Sequence, residues 1–145
     1  MPKAVDHVQR KRELVESTWR VIARRGLAGA TMRQIAEEAG YANGALKPYF
    51  PTKMDLLEAT FEHVYGSTEE RISKSIEGLR GLEALRAMCL EVLPTTERLQ
   101  DEARIVVSFW DSAAQDAKRA QLAAVSSKRW CTMVATMLNE AAEDG

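Results

Sequence analysis

The sequence predicts an all-α fold in which a three-helix head is joined by one long helix to an antiparallel helical body. Apolar residues recur at the three- and four-residue spacing of amphipathic helices along most of the 145 residues. No segment shows the alternation of apolar and polar residues that is typical of a strand. Capping residues and glycine or proline breaks divide this pattern into separate helices.

The head is expected to occupy residues 1–51. Its first helix should cover residues 6–25, with an apolar stripe of Val8, Val15, Trp19 and Ile22, and should end at Gly26. Thr31 and Gln34 match a capping box, which should begin a second helix that Gly40 closes. A third, very short helix is predicted over residues 43–49.

The body is expected to occupy residues 52–145. Thr52 and Asp55 should cap the connecting helix, residues 53–77. A following helix, halted by Pro94, should bury the stripe Leu82, Leu85, Cys89 and Val92. Further apolar stripes predict two more helices, the last of them reaching nearly to residue 145. Cys89 and Cys131 are interpreted as reduced, buried, small hydrophobic residues, since no CxxC motif or nearby histidine completes a metal site.

Charge is distributed unevenly between the two parts. Residues 1–53 contain ten lysines and arginines against five acidic residues, a net charge of +5, so the remainder must carry −6 to give the total of −1. A basic head favours a polyanionic partner such as DNA. A solvated, salt-bridged helix surface explains the same counts, so charge supports this interpretation without establishing it. No apolar run is long enough for a bilayer span, and we expect a cytoplasmic protein.

The segment TMRQIAEEAGYANGALKPYFPTK, residues 31–53, is the most informative part of the chain. Two short helices around a glycine turn are typical of a helix-turn-helix, which presents its second helix to the DNA major groove. The motif resembles the tetracycline-repressor (TetR) family of bacterial transcriptional regulators. The matching residues are Gly26, Thr31, Ile35, Ala36, Ala39, Gly40, Gly44, Leu46, Tyr49, Phe50, Lys53, Leu56 and Leu57.

The resemblance implies separate packing and contact residues. Ile35, Ala36, Ala39, Leu46 and Phe50 would pack the motif together. The implied DNA-contact residues are Thr31, Met32, Arg33, Asn43, Gly44, Ala45, Lys47, Tyr49 and Lys53. Of these, Asn43 could pair with adenine, and Lys47, Tyr49 and Lys53 would hold phosphates. Thr31 could instead serve only as a cap, the lysines could be solvated, and Tyr49 could be packing.

The sequence departs from the family pattern around the third helix. Ala42 replaces the usual serine or threonine cap, and Lys47 replaces the usual tyrosine. Pro48 lacks a backbone N–H and disfavours helical geometry at the preceding residue.

The segment from Ser108 to Trp130 contains Phe109, Trp110, Asp116 and the run Ser126, Ser127, Lys128 and Arg129. In these residues it is similar to the choline-responsive repressor branch of the family. A small-molecule effector is implied, and a cationic one would contact aromatic faces. The candidate ligand-binding residues are Phe61, Tyr65, Cys89, Trp110 and Trp130. Plain core packing is the alternative for each aromatic residue. We also expect the chain to be short at its C-terminus, because family members usually continue into helices that pair two subunits.

The resemblance therefore implies a ligand-responsive regulator, most simply a repressor that binds a palindromic operator as a homodimer and is released by its effector. We expect no cofactor and no metal. A helical protein-interaction module that has lost DNA binding is the alternative, suggested by Ala42, Pro48 and the short C-terminus. An enzyme is not expected, because neither His7 nor His63 accompanies a nucleophile.

Overall fold

A computed structural model of the protein describes residues 2–145, with side chains described from residue 6 onward. Six α-helices follow one another: α1 (Pro2–Gly29), α2 (Met32–Ala39), α3 (Lys53–Ser75), α4 (Gly81–Val92), α5 (Glu97–Ala113) and α6 (Ala117–Glu143). Within residues 2–145 there is no strand, and the predicted all-α class is confirmed. None of the described helices is long and apolar enough to cross a membrane.

The predicted helix breaks in the head are confirmed by backbone geometry. Gly26 has a φ of 69° and interrupts the helical path of α1. Both hydrogen bonds of the capping box between Thr31 and Gln34 are present at the start of α2. Gly40 has a φ of 75°, in the left-handed region where glycine carries no steric penalty, and it ends α2.

The predicted third helix is wrong as a regular helix. Residues 43–49, hereafter the recognition segment, form a series of turns. Ala45 N donates to Ala42 O at 3.0 Å, and Tyr49 N donates to Leu46 O at 2.9 Å, which are both three-residue turns. Pro48 supplies the physical reason, because it has no N–H for the carbonyl four residues earlier and disfavours helical geometry at Lys47.

The described chain forms two compact units. The first unit contains residues up to Val64 together with Arg104–Phe109. Its fully buried side chains include Leu14, Ile22, Ile35, Leu56, Leu57, Phe61, Ile105 and Phe109. Val8 was predicted to lie in the buried stripe of the first helix, but it is 69% exposed. Val15 and Ile22 of the same stripe are buried and Trp19 is partly buried, so the predicted face is confirmed from Val15 onward.

The second unit contains Tyr65–Ala103 and Trp110–Gly145. Its core is built on Ile72, Ala84, Met88 and Met137, with Leu85, Val92 and Trp130 among the partly buried residues around it. Two sequence predictions are wrong here. Leu82 is 65% exposed, because α4 turns Ala84 and Met88 inward. Cys131 is exposed and Cys89 is only partly buried. The functional division predicted at residues 51 and 52 stays a prediction.

Candidate nucleic-acid interface and aromatic cluster

The helix-turn-helix is held together by the residues that were assigned to packing. Ile35 and Ala36 are buried on α2, and Leu46 and Phe50 are buried at the recognition segment and just after it. Ala39 is only partly buried. Burial of the four apolar side chains fixes the recognition segment within the first unit, and Asn43, Gly44 and Lys47 remain exposed.

The predicted DNA-contact residues fall into two groups by exposure. Thr31, Arg33, Asn43, Gly44 and Lys47 are exposed. The partly buried members are Met32, Ala45, Tyr49 and Lys53. In the exposed group, Arg33 carries a guanidinium, Asn43 an amide and Lys47 an ammonium. These are chemical groups that read base edges and bind phosphates.

Lys53 already has a partner within the fold. Its Nζ donates to the carbonyl of Leu27 at 3.1 Å, at the end of α1. Arg104 makes a similar bond to the carbonyl of Ala23 at 2.7 Å. Carbonyls at a helix end need partners from outside the helix. An ammonium has three donors, so Lys53 can bond Leu27 and still offer a hydrogen bond to a phosphate.

Tyrosine side chains connect the region around the recognition segment to α1. The Tyr41 hydroxyl donates to Glu13 Oε2 at 2.7 Å. This hydrogen bond lowers the pKa of Glu13 and raises that of Tyr41. The Tyr49 ring contacts the His7 ring, with centroids 4.7 Å apart. These contacts restrain a segment that lacks the continuous hydrogen bonding of a helix.

Ion pairs between α1 and α2 orient the two helices. Glu38 accepts hydrogen bonds from Arg20 Nε at 2.9 Å and Arg24 Nη1 at 3.1 Å. The bond from Arg20 is the main cause of the lowered pKa of Glu38. An open cleft of about 280 Å³ beside them is lined by Val21, Arg24, Arg25, Gln34, Glu37 and Glu38. Arginine and glutamate alternate around this cleft, which favours a structural role for it.

An aromatic cluster lies in the second unit. The Tyr65 and Trp130 rings are stacked with centroids 5.4 Å apart, and the Tyr65 hydroxyl donates to the carbonyl of Ser126 at 3.1 Å. Burial, followed by the nearby Glu69 carboxylate, raises the pKa of Tyr65 to about 12. Glu69 Oε1 lies 3.0 Å from Arg129 Nε. The Trp130 Nε1 is buried without a hydrogen-bond partner among the described residues.

The other candidate ligand residues are not part of this cluster. Phe61 belongs to the first unit, where it is buried and stacked on Phe109 with centroids 4.0 Å apart. Trp110 is 48% exposed, and Cys89 is partly buried on α4. Sequence reasoning missed Glu69, although its position one helical turn after Tyr65 was a usable signal.

A second polar cluster in this unit was also missed. Arg71 Nη2 donates to Glu102 Oε2 at 2.7 Å, and Arg71 Nε donates to Glu91 Oε2 at 3.1 Å. Ser75 Oγ donates to Glu91 Oε1 at 2.7 Å, and Glu102 is buried. The arginine thereby joins α3 to α4 and α5 within the second unit. Its partners lie 20 and 31 residues away in the sequence, so no local pattern predicts them.

Two known protein families match separate parts of the chain. Residues 14–60 match the family described as bacterial regulatory proteins, tetR family. Residues 81–145 match the family described as BetI-type transcriptional repressor, C-terminal. The first match contains the helix-turn-helix, and the second contains α4, α5 and α6.

Individual relatives and solved structures agree with these matches. The chain is 38% identical over 110 residues to the HTH-type transcriptional regulator PksA of Bacillus subtilis, and the match covers 75% of this chain and 54% of that protein. It therefore spans about half the length of that relative. It is 29% identical to the regulator BetI of Burkholderia ambifaria, covering 89% of this chain and 68% of the relative.

Among solved structures, a transcriptional regulator from Saccharomonospora viridis in complex with choline superposes with a TM-score of 0.89. Its sequence is 25% identical, and the match covers 95% of this chain and 72% of that one. A Rhodococcus regulator superposes with a TM-score of 0.73 at 23% identity, covering 92% and 82% of the two chains, and shows the same fold.

Proposed function

The chain belongs to the TetR family of bacterial regulatory proteins, with a BetI-type C-terminal part, and on this premise we propose that it is a ligand-responsive DNA-binding transcriptional regulator. The observation that carries the proposal is the helix-turn-helix itself. Ile35, Leu46 and Phe50 hold it together from the inside. Arg33, Asn43 and Lys47 remain exposed around the recognition segment.

The proposed contact residues would have different roles in DNA binding, according to their chemistry. Lys47, Tyr49 and Lys53 would contact phosphates and so fix the register of the protein on the duplex. Asn43 carries a donor and an acceptor that match adenine, and Arg33 matches guanine or phosphate. Thr31 and Met32 would offer backbone amides at the start of α2, and the small residues Gly44 and Ala45 would permit close approach to the groove.

Regulation would follow the mode of a repressor in the cytoplasm. Two copies of the chain would place their recognition segments in successive major grooves, about 34 Å apart on a palindromic operator. An effector releases DNA only if it binds the released state more tightly than the DNA-bound state. The names of the relatives, which are transcriptional regulators and repressors, support this mode.

Salt dependence tests the DNA-binding proposal. Each phosphate contact should add about 0.9 to the slope of log affinity against log salt concentration. We expect a shift of a labelled promoter duplex from the protein's own gene at low salt, and a linear loss of affinity as salt rises. Binding that is absent at low salt, or independent of salt, would contradict the proposal.

We propose further that the effector is a quaternary ammonium compound of the choline type. The Tyr65 and Trp130 rings meet beside the Glu69 carboxylate, and aromatic faces with a carboxylate are the groups that recognise such a cation. The buried Trp130 Nε1 has no partner in the described residues and could donate to the hydroxyl of choline. A choline complex of the Saccharomonospora viridis regulator adds support.

The effector proposal is tested with choline and its uncharged carbon isostere, dimethylbutanol. Because cation–π attraction depends on charge, we expect choline to bind at least about tenfold more tightly than the isostere. The Trp130→Leu variant should bind choline and the isostere with similar affinity. Trp110→Leu, which changes an exposed indole on α5, is the matched control and should retain the preference for choline. Equal binding of choline and the isostere by the unaltered protein would refute a cation site.

A helical protein-interaction module is the second candidate. The turns of the recognition segment favour it, because a major-groove reader normally presents a regular helix. The low-salt gel shift separates the two functions. A protein that stays folded but shifts no DNA would support the interaction module.

A further inference from the structure

The carboxylate beside the aromatic cluster has a cation of the chain itself as a partner. Glu69 Oε1 lies 3.0 Å from Arg129 Nε. The two side chains differ in exposure, since that of Glu69 is 19% exposed and that of Arg129 is 67% exposed. Most of the arginine side chain therefore faces solvent, whereas the carboxylate is largely enclosed by the second unit.

The contact between Glu69 and Arg129 is a contact of charges without a hydrogen bond. Glu69 Oε1 is buried, and it accepts no hydrogen bond from any described residue in spite of its short distance to Arg129 Nε. A partner that supplies only charge can be replaced by another cation without loss of a hydrogen bond. A quaternary ammonium group is such a cation, because it carries no N–H.

Trp130 provides the complementary unsatisfied group. Its Nε1 is buried and has no hydrogen-bond partner among the described residues, and its ring is stacked on that of Tyr65. Buried polar atoms without partners are costly and uncommon. A small cation with a hydroxyl group would neutralise Glu69 by its charge, and the hydroxyl could donate to Glu69 Oε1 or accept from Trp130 Nε1.

We propose that Arg129 is a built-in competitor of the effector, which pairs with Glu69 in the effector-free protein and is displaced when a quaternary ammonium compound binds. The inference rests on the proposed effector class. Arg129 lowers the apparent affinity for the effector, because only molecules in which the arginine has left Glu69 are ready to bind it. The arginine thereby raises the effector concentration at which the regulator responds.

Isothermal titration calorimetry of the full chain with choline tests this competition. Arg129→Gln removes the competing charge and should tighten choline binding about threefold, within the range that partly exposed ion pairs contribute. Arg129→Lys keeps a cation near Glu69 and should bind choline like the unaltered protein. Lys128→Gln is the matched control, because it removes the same charge from the preceding, exposed position of α6, and it should leave the affinity unchanged.

A double-mutant cycle tests whether Glu69 is the group for which the two cations compete. Glu69→Gln should bind choline weakly, and Arg129→Gln should give no further gain in affinity in that background. In the unaltered protein, the NMR resonance of the Arg129 Nε–H group, assigned by its loss in Arg129→Gln, should shift when choline is added. Circular dichroism confirms that each variant is folded.

The outcomes separate this inference from the proposed effector. If choline binds more tightly than its uncharged isostere but Arg129→Gln does not tighten choline binding, or Lys128→Gln tightens it equally, the competition is overturned and the proposed effector stands. An Arg129 resonance that does not shift at saturating choline also overturns the competition. If the folded, unaltered protein and Arg129→Gln both fail to bind choline, the inference and the proposed effector are overturned together.

Discussion

Lys53 and Lys47 have the same side chain but different surroundings. Lys53 is partly buried and donates to the Leu27 carbonyl at 3.1 Å, whereas Lys47 is exposed on the recognition segment. A phosphate contact at Lys53 would thus be made by an ammonium that the fold already orients. At Lys47 it would require ordering of an exposed side chain, which carries an entropic cost.

This difference predicts different effects of the two alanine variants. Lys47→Ala should lower DNA affinity about eightfold at ~0.1 M salt and leave the free energy of unfolding unchanged. Lys53→Ala should lower affinity by a similar factor and also destabilise the protein by about 1 kcal/mol, since it removes a hydrogen bond to a helix-end carbonyl. Fluorescence anisotropy and urea unfolding measure the two quantities.

Glu62→Ala is a suitable control, because that side chain is exposed on α3 outside the proposed contact residues. It should not weaken DNA binding. A double Lys47→Ala, Lys53→Ala variant that binds as tightly as the unaltered protein would remove the phosphate assignment.

At the scale of the element, the recognition segment depends on its neighbours for its shape. Its backbone has three-residue turns at Ala45 and Tyr49, and Leu46 and Phe50 anchor it in the first unit. Pro48 prevents an additional helical hydrogen bond. The segment therefore has its position set by tertiary contacts, with little contribution from helix formation.

We expect Pro48→Ala to extend helical structure through the recognition segment, because alanine restores the missing N–H and relieves the restriction on Lys47. Backbone carbon chemical shifts of residues 43–49, measured by NMR, would report the change. Pro51→Ala, a change in the exposed turn before α3, is the matched control and should leave these shifts unaltered. Backbone carbon chemical shifts typical of a helix in the unaltered protein would contradict the turn conformation.

At the scale of the whole molecule, each compact unit is joined by its own polar contacts. In the first unit, Glu38 accepts hydrogen bonds from Arg20 and Arg24. In the second, Arg71 joins Glu91 to Glu102. The pKa values of Glu38 and Glu91 are lowered in the folded protein, so stability should depend on pH.

The carboxylate of Glu91 gives a specific pH prediction. Its pKa is lowered from the ordinary value, first by the hydrogen bond from Ser75 and then by Arg71. A group with a lowered pKa in the folded state adds stability above its unfolded pKa and loses it as pH falls. Urea unfolding should show Glu91→Gln to be less stable than the unaltered protein at pH 7, with the gap closing below about pH 4.5.

Glu83→Gln, on the exposed face of the same helix, serves as the control and should show a much smaller gap at pH 7. A constant difference between Glu91→Gln and the unaltered protein from pH 7 to pH 3 would rule out the charge of Glu91 as the cause.

Local signals in the sequence were sufficient for the helix boundaries of the head. The capping box of Thr31 and Gln34, and the left-handed glycine at position 40, each involve atoms within a few residues of one another. Their hydrogen bonds and backbone angles depend on residue type and spacing alone. The resemblance to the TetR family identified the packing residues, and burial of Ile35, Ala36, Leu46 and Phe50 confirms that assignment, whereas Ala39 is only partly buried.

What the sequence determined by itself was the helical class, the caps and the packing residues of the helix-turn-helix. Tertiary structure decided that Val8 and Leu82 face solvent, and that Tyr65 meets Trp130. The physical reason is the sequence distance over which the interactions act. Caps and turns are set by neighbouring residues, whereas the buried side of a helix and its partners depend on how helices distant in sequence pack together.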